Sequence, residues 1–149
     1  MRETITAALK HATKAQDKRR ISTLRLMSAA IKDRDIAART AGKSEATDAE
    51  LLELFAKMIK QREESEKIYA EAGRAELAKQ EAEEIAIIRE FLPKQLSGAE
   101  LDQAIADALA KTGATSVKDM GKVMAELKAR YAGQMDFAKA SALVKARLG

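Results

Sequence analysis

Apolar residues recur three and four positions apart along almost the whole chain, the period that predicts amphipathic helices rather than strands. Ile5, Ala8, Leu9 and Ala12 mark the stripe of a first helix ending near Gln16. A second is expected from residue 18 to about residue 41, with Ile21, Leu24, Met27, Ser28 and Ile31 at helical spacing and Gly42 as its stop. TDAE at residues 47–50 reads as a capping box, in which the Thr47 hydroxyl accepts from the Glu50 amide and the Glu50 side chain returns to the cap amide. The third helix carries Leu51, Phe55, Met58, Ile59 and Tyr69 and ends at Ala72 and Gly73. The fourth runs from Arg74 to about Leu92. At ~1.5 Å per residue the third spans roughly 36 Å, so the two are expected to form a long antiparallel hairpin turning at Gly73.

Pro93, the only proline, disfavours the helical conformation at Leu92 and donates no backbone hydrogen bond. SGAE at residues 97–100 then reads as a second capping box, and Leu101, Ile105 and Leu109 carry a fifth helix to Gly113. Ser116 opens a sixth, with Val117, Met120, Met124, Leu127 and Tyr131 inward, stopped by Gly133. Asp136 caps a seventh with Phe137, Ala140, Val144 and Leu148 inward. The expectation is an all-α chain of two domains joined at residues 93–96. An elongated four-helix domain occupies residues 1–93 and a small three-helix domain occupies residues 97–149.

Composition narrows the class. Hydrophobic residues make up 46% of the chain, but with three Phe, two Tyr and no Trp they are mainly Ala, Leu, Ile and Met, a mixture suited to close-packed helices. With no cysteine there is no disulfide framework, thiolate metal site or thiol nucleophile. The N-terminal stretch lacks a secretory apolar region, and no apolar run approaches the ~18 residues of a membrane span, so a soluble cytoplasmic protein is expected.

Charge is distributed unevenly. Lys/Arg outnumber Asp/Glu by 11 to 5 in residues 1–46 and by 8 to 3 in residues 108–149, whereas residues 47–93 hold 7 against 12 and residues 94–107 hold 1 against 3. Two basic segments flanking an acidic one suggest a polyanion partner, or else ordinary solvated helix faces.

Candidate chemistry is sparse. His11 is the only histidine, which excludes an HExxH pair, and Gly42-Lys43-Ser44 lacks the upstream glycine of a phosphate-binding loop. Glu81, Glu83 and Glu84 read as a solvated helix face sooner than as an acid/base or metal pair. No active site of the chain's own, no cofactor and no metal is expected. One stretch, SVKDMGKVMAELKARY, leaves Lys118, Gly121, Lys122 and Ala125 opposite its apolar face. A glycine inside an exposed helix costs ~1 kcal/mol relative to alanine. Close approach of a phosphate chain, or of a neighbouring helix in the same bundle, would account for it. Lys111, Lys128, Lys139, Lys145 and Arg147 lie nearby in sequence and extend the basic surface.

The segments KRRISTLRLMSAAIK, IKQREESEKIYAEAGRAELAKQEAEEI, FLPKQLSGAEL and GATSVKDMGKVMAELK resemble the GatB/YqeY family, and the likeness covers nearly the whole length. Freestanding members are similar to the C-terminal region of GatB, a subunit of the glutamine-dependent amidotransferase acting on misacylated tRNA. A similar domain is appended to some glutaminyl-tRNA synthetases. The resemblance implies an all-helical, two-domain tRNA-binding module without the catalytic parts. The RNA-binding residues expected are Lys118, Gly121, Lys122, Lys128, Lys139 and Lys145, together with Arg19, Arg20 and Arg25 on the basic second helix. Two alternatives stay open. One is an accessory of the amidotransferase (a carbon–nitrogen ligase with glutamine as amido-N-donor) or of an aminoacyl-tRNA synthetase. The other is a protein-interaction scaffold using the acidic hairpin of residues 47–92. Neither a membrane nor a small-molecule substrate is implied.

Overall fold

The computed structural model describes all 149 residues. They form seven α-helices: α1 (Arg2–Ala15), α2 (Lys18–Thr40), α3 (Asp48–Glu71), α4 (Ala75–Arg89), α5 (Ala99–Thr112), α6 (Met120–Arg130) and α7 (Phe137–Leu148). A 3-10 turn, Val117–Asp119, precedes α6, and there is no strand, so the expected all-α class holds. No helix is long and apolar enough to cross a membrane. The chain divides into two compact units, Met1–Leu92 and Pro93–Gly149, each around its own apolar cluster.

In the first unit α1 packs on α2, and α4 packs on α2 and α3. Ile5, Leu24, Met27, Leu51, Phe55 and Ile88 are fully buried at its centre. Each such side chain contributes about 1.5–3 kcal/mol on leaving water. Tyr69, expected in this stripe, is only half-buried near the tip of the hairpin. The Thr47 capping box is present as read, with the Glu50 amide on Thr47 Oγ1 at 3.2 Å and the Thr47 amide on Glu50 Oε1 at 3.4 Å. α3 and α4 are joined by the short turn at Ala72, Gly73 and Arg74 and pack along each other, bridged by Arg62 with Glu84 (3.1 Å) and Arg89 with Glu63 (2.8 Å). The hairpin is antiparallel.

One of the next two helix ends lies where expected and the other does not. α1 closes on Gln16 in the left-handed region (φ 56°), with the Asp17 amide returning to the Ala12 carbonyl at 3.1 Å, although no glycine marks the stop. α4 ends at Arg89 rather than Leu92. Pro93 has no N–H for the Arg89 carbonyl, and the Leu92 amide takes it instead at 3.1 Å. With Glu90 on Ile87 (3.3 Å) and Phe91 on Ile88 (3.1 Å), the last turn tightens to 3-10 form.

The start of α1 is tied to the α2–α3 loop through one carboxylate. Asp35 accepts Arg2 Nη1 (2.6 Å), Arg2 Nη2 (2.9 Å) and the Ala46 amide (2.9 Å), while Arg2 Nη2 also donates to the Ala46 carbonyl (2.7 Å). The Arg2 hydrogen bonds, and then the Ala46 amide, hold the Asp35 carboxyl below its ordinary value. A carboxyl with a depressed folded pKa stabilises the fold above its unfolded value, ~3.9, and that stabilisation is lost as pH falls through the folded one. Asp35→Asn is therefore expected to lower stability at neutral pH, with the gap to wild type closing below about pH 4. Urea unfolding across a pH series measures this, and a gap unchanged at about pH 2.5 would assign the loss to packing instead of charge.

In the second unit Ile105, Val123, Leu127, Ala140 and Val144 are fully buried, with Leu101, Leu109, Met120, Met124, Tyr131, Phe137 and Leu148 packed around them. Val117 is corrected: it lies on the 3-10 turn and is 43% exposed, while Val123 takes the central place. The α-helical period starts only at Met120, so the inward positions shift. Gln95 and Leu96 also belong to this unit, since the Gln95 side chain donates to the Gly133 carbonyl and the Leu96 amide to Gln134 at 2.7 Å.

The Ser97 capping box is also corrected. Gly98 is the N-cap of α5, at φ 52° and ψ −124°, and no side chain caps it. The turn is made one residue later than expected, and the Ser97 carbonyl takes the Glu100 amide at 3.2 Å. Ser97→Ala is expected to leave stability within about 0.5 kcal/mol, whereas Gly98→Ala costs about 1–3 kcal/mol, because side chains rarely adopt that conformation. Chemical denaturation distinguishes them; a larger loss for Ser97→Ala than for Gly98→Ala would restore the capping box.

Candidate nucleic-acid interface

Burial of Val123 and Leu127 fixes the rotation of α6 and leaves Gly121, Lys122, Ala125, Lys128 and Ala129 exposed on its outer side. At ~100° per residue, Lys122 and Lys128 flank a strip made of Gly121, Ala125 and Ala129. A methyl group placed on Gly121 would meet nothing within 4 Å. The alternative that this glycine admits a neighbouring helix of the bundle is thereby removed: the space above it is open. Lys118 stands on the preceding 3-10 turn, also exposed, rather than one helical turn below Lys122 on α6. Asp119 closes that turn by accepting the amides of Thr115 (3.0 Å) and Ser116 (3.4 Å). Those two amides, and more weakly the Lys122 charge, hold its carboxyl below the ordinary range.

Lys139 and Lys145 are exposed on α7, six residues and roughly 120° apart around the axis. Lys118, Lys122, Lys128, Lys139 and Lys145 make no ion pair with any acid of the chain, whereas Lys111 is held by Glu126 at 2.9 Å. The cations singled out in the first unit divide differently. Arg19 donates to Glu83 (3.3 Å) and Arg20 to Glu90 (2.6 Å), tying α2 to the end of α4. The Glu90 hydrogen bond also raises the Arg20 pKa. Arg25 is exposed and unpaired.

The remaining titratable candidates have structural partners or none. Glu83 takes Arg19, and Glu84, almost buried, takes Arg62, so the two do not converge on a shared site. Burial and the neighbouring Glu84 push the Glu81 carboxyl up. His11 is exposed on α1. Lys18, Lys32 and Arg39 are also exposed on α2, and their seven-residue spacing with Arg25 is the sequence signal that marks them.

The arrangement is thus a helical surface on which Lys118, Lys122, Lys128, Lys139 and Lys145 stand exposed without an acid partner, in a chain built of two helical units. The chain belongs to the YqeY-like family, whose model, described as Yqey-like protein, matches residues 2–148. A comparison with curated proteins gives no match.

Proposed function

We propose that the protein is a noncatalytic tRNA-binding accessory module of the GatB/YqeY type. The observation that carries this reading is the outer side of the second unit, where Lys122 and Lys128 stand unpaired beside the open strip at Gly121. Phosphates supply the regularly spaced negative charge that such lysines lack, and small residues let a backbone come close. The likeness to the C-terminal region of GatB adds a context, since a module of this kind would serve a glutamine-dependent amidotransferase or a synthetase by holding its tRNA. Titrating labelled tRNA with the purified chain across a salt series is the test. Affinity is expected to fall linearly in log–log form with a slope of several units, about 0.9 per phosphate contact. A flat response would favour the protein-interaction scaffold. Supplied with glutamine, ATP and misacylated tRNA, the chain alone is expected to show no amide transfer, and turnover by a homogeneous preparation would overturn the noncatalytic assignment.

A further inference from the structure

Lys18, Arg25, Lys32 and Arg39 recur every seven residues along α2. Seven residues make almost two turns, so successive members lie ~10.5 Å apart along the axis and drift only about 20° around it. The row runs ~32 Å, close to the length of the helix. All four side chains are exposed. None pairs with an acid, although Arg19, Arg20 and Arg34 on the same helix are taken by Glu83, Glu90 and Glu50. Arg39 donates to the Ser44 carbonyl at 3.3 Å and makes no ion pair, although its charge helps to hold the Asp35 carboxyl down. Lys32 and Arg39 also border a groove of about 430 Å³ between α1 and α2, where the one carboxylate, Asp35, is already held by Arg2.

We infer that this row is a docking ridge for the phosphate backbone of RNA, a second contact surface in a unit separate from the α6 strip. The inference rests on the RNA-binding reading above for its ligand. Phosphates along a nucleic-acid strand are spaced more closely than ~10.5 Å, so each cation of the row can meet one on a strand laid along them. An acidic helix fits less well. Its docking needs a continuous apolar seam, and on this face Ile36 is the one large exposed apolar side chain, Leu26 lying about 100° round the helix from Arg25.

The test titrates labelled tRNA, over a salt series, against the full chain and K18Q/R25Q/K32Q, with thermal melting of both. The variant is expected to bind at least tenfold more weakly at about 0.15 M salt, with the log–log slope reduced by ~2.7, or about 0.9 per lost contact. K57Q/K60Q/K79Q, equal in charge but off the row, is expected to keep the wild-type slope. Should the triple variant melt early, K18Q and K32Q singly carry the same expectation at ~0.9 each. Unchanged tRNA binding by the on-row variant overturns the ridge and leaves the tRNA reading standing; equal losses on and off the row also overturn it. Absence of any salt-dependent tRNA binding by wild type overturns both. Binding to polyglutamate that the on-row substitutions abolish, with tRNA binding intact, assigns the row to an acidic protein and overturns the RNA ridge.

Discussion

Reversing Lys122 and Lys128 to Glu is expected to weaken tRNA binding by on the order of thirtyfold at about 0.15 M salt and to lower the log–log salt slope by ~1.8. The size follows from two lost phosphate contacts, and the introduced repulsion deepens it. Both side chains are exposed and unpaired, while Val123 and Leu127 hold the helix in place from the other side, so stability is expected to change by no more than about 0.5 kcal/mol. Gly121→Leu separates proximity from charge. Nothing lies within 4 Å of the added carbon, so the fold tolerates it, and a loss of affinity in a stable protein would show that the strip is approached closely by the ligand. If the double variant binds as wild type does across the salt series, α6 is not the interface.

Phe55→Ala is expected to cost the first unit about 3–5 kcal/mol. Phe55 is the largest fully buried side chain of the chain, and its removal opens a cavity among Leu24, Met27, Leu51 and Ile88 that helices anchored by a hairpin cannot fully close. Because the apolar cluster around Ile105 and Val144 shares no member with that one, the loss should stay in the first unit. Hydrogen exchange measures this directly: faster exchange in α1–α4 with α5–α7 unchanged is the expected pattern. Ile105→Ala should give the reverse, at about 2–5 kcal/mol. Uniform acceleration through both units by either substitution would show that they unfold as one.

Much of the fold was legible because helix signals are local. A three-four apolar period, a capping box at Thr47 and stops at Gly42, Gly73, Gly113 and Gly133 each act within a turn or two, and the helices lie where those marks put them. The misses were of a different kind. Ser97 and Gly98 are both acceptable N-cap residues, and the choice between them depends on how the chain enters α5 after Gln95 and Leu96 dock on the carbonyls of Gly133 and Gln134, nearly forty residues away. Val117 faces inward only in a continuous α-helix; the 3-10 turn before Met120 rotates it outward and brings Val123 in.

The candidate site divides along the same line. Residue types and spacing by themselves determined that cations cluster in the first and last segments, that one glycine interrupts an exposed helix, and that no histidine or cysteine chemistry is available. Which cations are free to meet a ligand was decided only by tertiary structure. Arg19, Arg20 and Arg25 are indistinguishable as a basic run, yet folding sets Glu83 and Glu90 against the first two and leaves the third in solvent. The periodicity of a helix says which side a residue takes. Whether an acid more than sixty residues away arrives there to neutralise it depends on how α4 packs against α2, and that packing is a property of the whole unit's core.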